Sequence, residues 1–402
     1  MRALRFLLCA GLLAASAASF AATFSADEIR VALVTDLTGT YADIGGQGAV
    51  IAAEMAIADM GGKVGGKPIK LIVADVQDET HSALDTVQRL VDEQGVDVVA
   101  ESAGSNAALS IQRLARERGT VALHIGAAAA SLTGEDCSPT GVHWAYDSAA
   151  LARATVGALS EQGGDSWFLL SSDDASGRQL EGDARVVVAA AGGTVAGVAR
   201  YPAGTADVAN QLRQARNSRA RVVALANAGG DAIRAIRQAY ELGLAEDGQS
   251  LAGLLVFVSD VRRLGLYVAG GLKFSTGFYW DLDPQTRAWS QRFRQRSGTM
   301  PTMVQAGVYS ALTHYFKAVA AAGTDAGRPV VDKMKALPVQ DFFARNGRVR
   351  RDGRMVHDMY LVEVKKPSES GDAWDYYRVL KVIPGEQAFR PLEEGRCPFV
   401  GR

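Results

Sequence analysis

The segment from Val96 to Gly134 constrains the fold most, because it predicts a strand, a small-residue loop, a helix, a second strand and a second small-residue loop. Residues 96–100 and 121–125 are short apolar runs, and the segment over residues 107–118 is amphipathic. Two strands joined through a helix run parallel, and the loops that leave their carboxyl ends emerge at the same edge of the sheet. We therefore expect both loops at a ligand-binding edge.

Both loops are bare of bulky side chains. The first small loop consists of Ser102, Ala103, Gly104, Ser105 and Asn106, and the second small loop covers residues 126–131, including Ala127 and Ala128. Backbone N–H groups at the helix start after each loop can point at an anionic group. The pattern predicts that the two small loops together form a surface that binds a carboxylate.

The same alternation runs through most of the chain. Residues 29–35 predict a strand that leads through a loop into a helix, and a second series runs from residue 166 to residue 278. In that series we predict a strand over residues 251–259 and a helix over residues 261–270. Helices follow up to residue 337, and the chain ends with strands over residues 358–364 and 374–382. The predicted fold class is α/β, with two doubly wound parallel sheets.

Composition and the N-terminus limit the possible partners and the compartment. The 402 residues include 43 basic and 44 acidic side chains, which favours neither nucleic acid nor an anionic membrane as partner. Residues 1–21 predict a cleaved secretion signal, with Arg2 and Arg5 ahead of an apolar run over residues 6–15. We expect a soluble exported protein.

Export leaves two cysteines in the mature chain, Cys137 and Cys397. In an oxidising compartment the pair predicts a disulfide, and the alternative is two buried free thiols.

Motifs of catalysis are absent from the sequence. Residues 61–68 approach a phosphate-binding loop, but Pro68 replaces the required hydroxyl residue, which favours a turn. The histidines have no metal-ligand spacing, and His124 is predicted to be a satisfied inner histidine. Asp174 and Asp260 each precede or begin a helix, where a cap and a ligand contact are both open. We expect no enzyme activity, no cofactor and no metal.

Several segments together resemble one family, the substrate-binding proteins of ABC importers of the leucine/isoleucine/valine-binding type. They are IRVALVTDLTG, VVAESAGSNAALSI, LHIGAAAASLTG, HWAYD, LANAGGDAIRAIRQA and PTMVQAGVYSALTHYFKAV. The resemblance implies two Rossmann-like lobes joined by three hinge crossings, the third near Met355. It implies a first lobe of residues 28–145 plus 279–355 and a second of residues 146–278 plus 356–402.

The resemblance also implies the ligand contacts. In the first lobe they fall on Ser102 to Asn106 and on residues 126–129, with Ser102 and Ser105 holding the carboxylate. In the second lobe they fall near Tyr146, Asp174, Asn227 and Asp260. Ala128 departs from the amino-acid binders, which have a hydroxyl residue there.

Aromatic residues near the first two crossings leave two interpretations open. They stack on a flat ligand or they pack the hinge. The residues are Trp144, Tyr146, Phe278, Tyr279 and Trp280.

The resemblance implies a periplasmic, monomeric solute-binding protein that closes on a small carboxylate ligand and delivers it to ABC permease subunits. The ligand expected is a branched-chain-type amino acid or an aromatic carboxylic acid. The alternative is a ligand-sensing receptor domain of the same fold that acts with a separate signalling partner.

Overall fold

The computed structural model describes residues 23–76, 80–246 and 248–401. The predicted secretion signal lies outside the described residues. None of the helices in this part of the chain is both long and apolar enough to cross a membrane.

Strands and helices alternate along the described chain. The strands are β1 (Ile29–Thr35), β2 (Lys63–Val64), β3 (Lys67–Asp75), β4 (Val98–Glu101), β5 (Val121–His124), β6 (Gly141–His143), β7 (Ser166–Ser172), β8 (Thr194–Tyr201), β9 (Val222–Ala226), β10 (Ser250–Gly253), β11 (Lys273–Thr276), β12 (Arg348–Val349), β13 (Met355–Val356), β14 (Met359–Val364) and β15 (Tyr377–Ile383). The α-helices are α1 (Gly46–Asp59), α2 (Thr80–Asp92), α3 (Ser105–Arg118), α4 (Ser148–Ala152), α5 (Ala158–Glu161), α6 (Ala175–Ala190), α7 (Ala209–Ser218), α8 (Gly229–Glu241), α9 (Val258–Leu264), α10 (Leu266–Ala269), α11 (Pro284–Ser297), α12 (Met303–Ala322), α13 (Gly327–Ala336) and α14 (Gly385–Ala388).

The strands form two main sheets, which confirms the predicted α/β class. The first sheet has the order β2-β3-β1-β4-β5-β6 and the second has the order β15-β14-β11-β10-β9-β7-β8. Pairing is parallel from β3 to β6 in the first sheet and from β11 to β8 in the second. Their buried apolar runs are typical of parallel strands covered on both faces.

Helices from the last third of the chain cover the first sheet. The mainly apolar helix α12 packs on α1 and α13, and α11 packs on α1. Most residues of α12 are buried, as expected for a helix that is apolar nearly all round. The chain therefore returns to the first sheet after β11, and β14 and β15 then complete the second sheet.

Three local predictions have different outcomes. The turn expected over residues 61–68 is confirmed, because β2 and β3 form an antiparallel hairpin. The strand predicted over residues 251–259 is too long, because β10 ends at Gly253 and α9 begins at Val258. The helix predicted over residues 261–270 is interrupted at Gly265, whose φ is 76°. A continuous apolar run does not distinguish a buried strand from a buried loop and helix start.

The chain passes between the two main sheets three times: the first passage follows β6, the second follows β11 and the third lies between β12 and β14. A buried arginine of the third passage joins it to the first. Arg354 is 1% exposed and donates hydrogen bonds to the carbonyl oxygens of Trp144 and Tyr146 in the first passage. It also donates to Asp147 Oδ2 at 3.2 Å. Burial lowers the pKa of Arg354 to about 10, so the guanidinium is charged at neutral pH.

His357 joins the first and third passages a few residues further on. Its Nε2 lies 2.9 Å from the carbonyl oxygen of Ala145. The second passage is close, because a Cβ added at Gly277 would lie 2.9 Å from His357 Cε1 and 3.2 Å from Ala145 O. The contacts fix the three passages against one another.

The C-terminal tail returns to the first lobe. Cys137 and Cys397 are joined by a disulfide, and Arg390 Nη2 donates to the carbonyl oxygen of Ala130 at 3.0 Å. The tail thus covers the outer side of the loop that follows β5.

We predict that Arg354→Met destabilises the protein by about 3–5 kcal/mol, because it leaves the buried Asp147 without its counter-charge. Urea denaturation followed by circular dichroism measures this change. The matched control is Arg348→Met, which removes an ion pair with Glu386 in which both side chains are more than half exposed. We expect the control to cost at most about 1 kcal/mol. Equal effects of the two substitutions would contradict the role assigned to Arg354.

Candidate functional site

The carboxyl edges of the two sheets face each other. A Cβ added at Gly229, at the start of α8, would lie 3.6 Å from Thr40 Cγ2 in the loop after β1. At the rim, Arg263 Nη1 lies 3.4 Å from Asp43 Oδ2. Loops that follow strands of both sheets therefore enclose a common cleft, which is where open α/β sheets bind ligands.

Ser102 lies at the first-lobe side of this cleft between two glycines. A Cβ added at Gly45 would lie 2.8 Å from Ser102 O, and one added at Gly126 would lie 2.7 Å from Ser102 C. Both positions therefore require glycine. Ser102 is 2% exposed, and its Oγ has no hydrogen-bond partner among the described residues.

The buried carboxylate of Glu101 forms hydrogen bonds with the backbone of the first small loop. The N–H groups of Ala103 and Gly104 donate to Glu101 Oε1 at 2.5 and 2.6 Å. These two N–H groups are therefore not available to a ligand, although the sequence analysis expected the N–H groups near these loops to point at an anionic group. The next N–H groups begin α3, which has no side-chain N-cap, and the first N–H groups of a helix have no partner within it.

The second small loop is held by three side chains. Ala128 N–H donates to Ser105 Oγ at 3.0 Å, His143 Nε2–H donates to Ala127 O at 2.9 Å, and Tyr146 OH donates to Gly126 O at 2.7 Å. Burial lowers the pKa of His143 well below its usual range and raises that of Tyr146, so both groups are neutral donors.

The predicted residues at and around the two small loops thus have different environments. Ser105 and Tyr146 join loop segments to each other, and Ala103 and Ala127 are buried in apolar packing. Asn106 is exposed. Ser102 is the predicted side chain of this lobe that combines burial with an unpartnered hydroxyl.

Asn227 lies at the end of β9 on the second-lobe side. Its Nδ2 donates to Tyr201 OH at 2.6 Å, and burial raises the pKa of Tyr201 to about 12. Asn227 Oδ1 and Ser259 Oγ are buried and have no hydrogen-bond partner within the described chain. Ser259 was not among the sequence-predicted site residues, because it falls within the run that was predicted as strand.

Both acidic candidates of the second lobe bind backbone at helix starts. Asp174 is the N-cap of α6 and accepts from Gly177 N–H at 2.8 Å. Asp260 accepts from Phe257 N–H at 2.9 Å and is 3% exposed. The structure thus gives each of them a capping partner.

The aromatic residues near the crossings pack against protein. Trp144 Nε1 donates to Ser310 Oγ at 3.1 Å, and Trp280 Nε1 donates to Trp374 O at 2.9 Å. Ring contacts join Phe278 to Phe343 at 6.1 Å and Tyr279 to Tyr377 at 4.5 Å. These rings fill the hinge, whereas Tyr146 contacts the second-lobe loop through the ring of Phe257 at 6.0 Å.

His124 is an inner histidine, as predicted, but it is not fully satisfied, because its Nδ1 has no hydrogen-bond partner among the described residues. It is fully buried, and its Nε2 lies 3.0 Å from Gln112 Oε1. Among the described residues no group of three or more histidine, cysteine or acidic side chains is placed to hold a metal ion.

Two α/β lobes with a cleft between facing strand edges define the class of bilobal ligand-binding proteins. The profile of the periplasmic binding protein family matches residues 28–372. The chain belongs to this family, whose members are solute-binding proteins of ABC transporters.

Solved structures agree with this assignment. A periplasmic binding protein from Burkholderia mallei is 44% identical with a TM-score of 0.88, covering 93% of this chain and 99% of that chain. A branched chain amino acid ABC transporter periplasmic ligand-binding protein from Burkholderia xenovorans is 37% identical with a TM-score of 0.88, covering 92% of this chain and 100% of that chain.

A more distant structure shares the fold alone. It is a solute binding protein of an ABC transporter from Rhodopseudomonas palustris in complex with 3,4-dihydroxy benzoic acid. It is 19% identical with a TM-score of 0.80, covering 90% of this chain and 98% of that chain. The comparison with curated proteins gave no match.

Burial raises the pKa of Asp260 from 3.8 to about 7, which predicts a pH-dependent stability. The folded state holds the proton more strongly than the unfolded state, so the stability from this group is full below about pH 4 and is lost as the pH rises to about 7. The loss amounts to about 4 kcal/mol at roughly 1.4 kcal/mol per pKa unit.

We therefore predict that Asp260→Asn, which is neutral at every pH and still accepts from Phe257 N–H, removes this loss. The difference in unfolding free energy between variant and wild type should grow from pH 4 to pH 7 and stay constant above. Urea denaturation at four pH values measures it, and a difference that does not depend on pH would contradict the buried, proton-holding Asp260.

Proposed function

We propose that the protein is an exported solute-binding protein that captures a small carboxylate ligand between its lobes and delivers it to an ABC permease. The observation that carries the proposal is the buried, unpartnered hydroxyl of Ser102 beside the uncapped start of α3. A hydroxyl donor and helix N–H groups at the positive end of the helix dipole are suited to a carboxylate. Buried polar groups are normally hydrogen-bonded, so Ser102 Oγ is suited to accept a partner from outside the chain.

The second lobe completes the ligand's surroundings. Asn227 Oδ1 and Ser259 Oγ are neutral, buried and unpartnered, and they accept hydrogen bonds from the end of the ligand opposite its carboxylate. Asp174 and Asp260 bind their own backbone. We infer a ligand of the branched-chain amino acid or aromatic acid type, with its charged carboxylate on the first lobe.

The relative from Burkholderia xenovorans supports the transport role. It is described as a branched chain amino acid ABC transporter periplasmic ligand-binding protein, and it aligns with nearly the whole chain. By that likeness we infer periplasmic location and a permease partner for this protein.

Closure provides the mechanism of capture. A ligand that contacts Ser102 on one lobe and Asn227 on the other binds the closed form more tightly than the open form, so it shifts the equilibrium towards closure. The ligand is released unchanged, because a serine nucleophile needs a neighbouring base and Ser102 Oγ has no such partner in the described chain.

The test is a thermal-shift screen of the mature protein, followed by calorimetry. The probes are leucine, isoleucine, valine, benzoate and 4-hydroxybenzoate. A ligand that binds only the folded state raises Tm with increasing concentration. Mass spectrometry of the recovered probe checks that it is unchanged.

We predict that Ser102→Ala weakens binding of the best probe about 10- to 100-fold, because a hydrogen bond to a charged group contributes about 1.5–3 kcal/mol. The matched control is Ser290→Ala on α11, which removes another buried serine hydroxyl without a described partner. We expect the control to bind as wild type does. If Ser102→Ala also bound as wild type does, the carboxylate would not lie where we propose.

A further inference from the structure

The C-terminal tail, defined here as residues 384–397, follows β15 of the second sheet and starts on the second lobe. Arg153 Nε donates to the carbonyl oxygen of Gln387 at 3.2 Å, and Gly385 N–H donates to Asp358 Oδ1 at 3.1 Å. Arg153 directly follows α4, which packs on α6, and Asp358 directly precedes β14. The start of the tail is therefore attached to the second lobe.

The middle of the C-terminal tail packs on the hinge. Phe389 is 1% exposed, and the centre of its ring lies 4.6 Å from Arg354 Cζ and 5.2 Å from the centre of the His357 ring. The carbonyl oxygen of Arg390 accepts a hydrogen bond from Arg350 Nη1 at 2.7 Å. Because Arg354 and His357 bind the first passage, the tail crosses between the lobes where the passages themselves meet.

The end of the C-terminal tail holds the second small loop. Arg390 Nη2 donates to the carbonyl oxygen of Ala130, the fifth residue of that loop, at 3.0 Å. A Cβ added at Gly134 would lie 2.7 Å from Gly395 O, so the tail lies directly against the segment that follows the loop. The disulfide from Cys137 makes this attachment covalent. One segment of chain thus joins the second lobe, the hinge and a predicted ligand-binding loop of the first lobe.

The contacts at the two ends of the C-terminal tail exist in an arrangement in which the rims of the cleft touch. There, Arg263 Nη1 lies 3.4 Å from Asp43 Oδ2. Opening turns the second lobe away from the first, so it moves the start of the tail relative to its end and disturbs the contacts between them. The disulfide keeps the end in place, and the hydrogen bonds therefore re-form within one molecule at a high effective concentration. The tail thus opposes opening without preventing it.

We propose that the C-terminal tail is a fourth connection between the lobes, through which Arg390 and the Cys137–Cys397 disulfide position the second small loop and restrain opening of the cleft. Arg390 contacts the loop and not the ligand, so it is a positioning residue. The effect on binding rests on the proposed function, in which a carboxylate is captured between the lobes. The effects on the loop and on opening concern the protein without ligand.

The test compares wild type with the double variant Cys137→Ser/Cys397→Ser, which removes the covalent attachment, and with Arg390→Met, which removes the hydrogen bond to the loop. The matched control for Arg390→Met is Arg396→Met, because Arg396 is an exposed arginine of the same tail with no hydrogen bond in the described chain. The control for the lost stability of the double variant is Leu212→Ala. Leu212 is fully buried on α7, which packs on β7, β8 and α8.

The first measurement is amide hydrogen exchange without ligand at Leu132 and Gly134, whose N–H groups donate to Ala129 O and Ser131 O. Exchange at these two amides should become at least about tenfold faster in the double variant and in Arg390→Met, and change by less than about threefold in the two controls. Exchange as slow as in wild type in either tail variant overturns the proposal.

The second measurement is the distance between two spin labels, one on each lobe, in the protein without ligand. The labels replace Glu54 on α1 and Arg237 on α8, which are both exposed, through Glu54→Cys and Arg237→Cys. In the double variant the mean distance should be longer by at least about 3 Å than with the disulfide intact, because the cleft opens further. Leu212→Ala should keep the wild-type distance. An unchanged distance in the double variant overturns the proposal.

The third measurement is calorimetry with benzoate and leucine. For a probe that binds, the double variant and Arg390→Met should bind at least about threefold more weakly than wild type, because the binding-competent arrangement is less populated. Arg396→Met and Leu212→Ala should bind within about twofold of wild type. Wild-type affinity in both tail variants overturns the link between the tail and the ligand site. Failure of both probes to bind wild type counts against the proposed function, while the exchange and distance results still decide the role of the tail.

Discussion

The guanidinium of Arg354 holds together the first and third of the passages that join the two sheets. It reaches two carbonyl oxygens and one carboxylate of the first passage from the start of the third, within a region that excludes water. A buried charge of this kind is costly unless its partners stay in place, so the passages move as one unit.

Carboxyl side chains shape both edges of the cleft between the lobes. Asp36, Glu101, Asp174 and Asp260 each accept backbone N–H groups from the loop or helix that follows their strand. Their oxygens bind the backbone of the protein itself, and the Ser102 hydroxyl and Asn227 Oδ1 have no hydrogen-bond partner in the described chain. Glu101 differs from the other three because its second oxygen lies 3.8 Å from His124 Nδ1.

The pattern of the sequence predicted the fold closely where burial alone decides it. Strand β1 has the predicted bounds, and the final strands β14 and β15 differ from prediction by at most three residues at an end. The pattern was wrong after β10, where the strand ends at Gly253 although the apolar run continues. A Cβ at Gly253 would lie 2.4 Å from Val256 Cγ2, so the position requires glycine, but the apolar run gives no sign of this contact. The candidate site was predicted less well. Glu101 is a charged residue at the end of the apolar run VVAE, which is unusual for a buried strand. Its hydrogen bonds to Ala103 and Gly104 depend on a turn that the sequence does not specify. The aromatic residues near the crossings could not be assigned to ligand or hinge, because ring partners such as Phe343 and Tyr377 are distant in sequence.

The most direct test of capture between the lobes is a crystal structure of the mature protein with the carboxylate that binds most tightly in the screen. The account predicts the intact ligand inside the cleft, with its carboxylate within hydrogen-bond distance of Ser102 Oγ and the start of α3, and its other end near Asn227 Oδ1. A ligand bound outside the cleft, one held with its carboxylate against the second lobe, or a chemically converted product would contradict it.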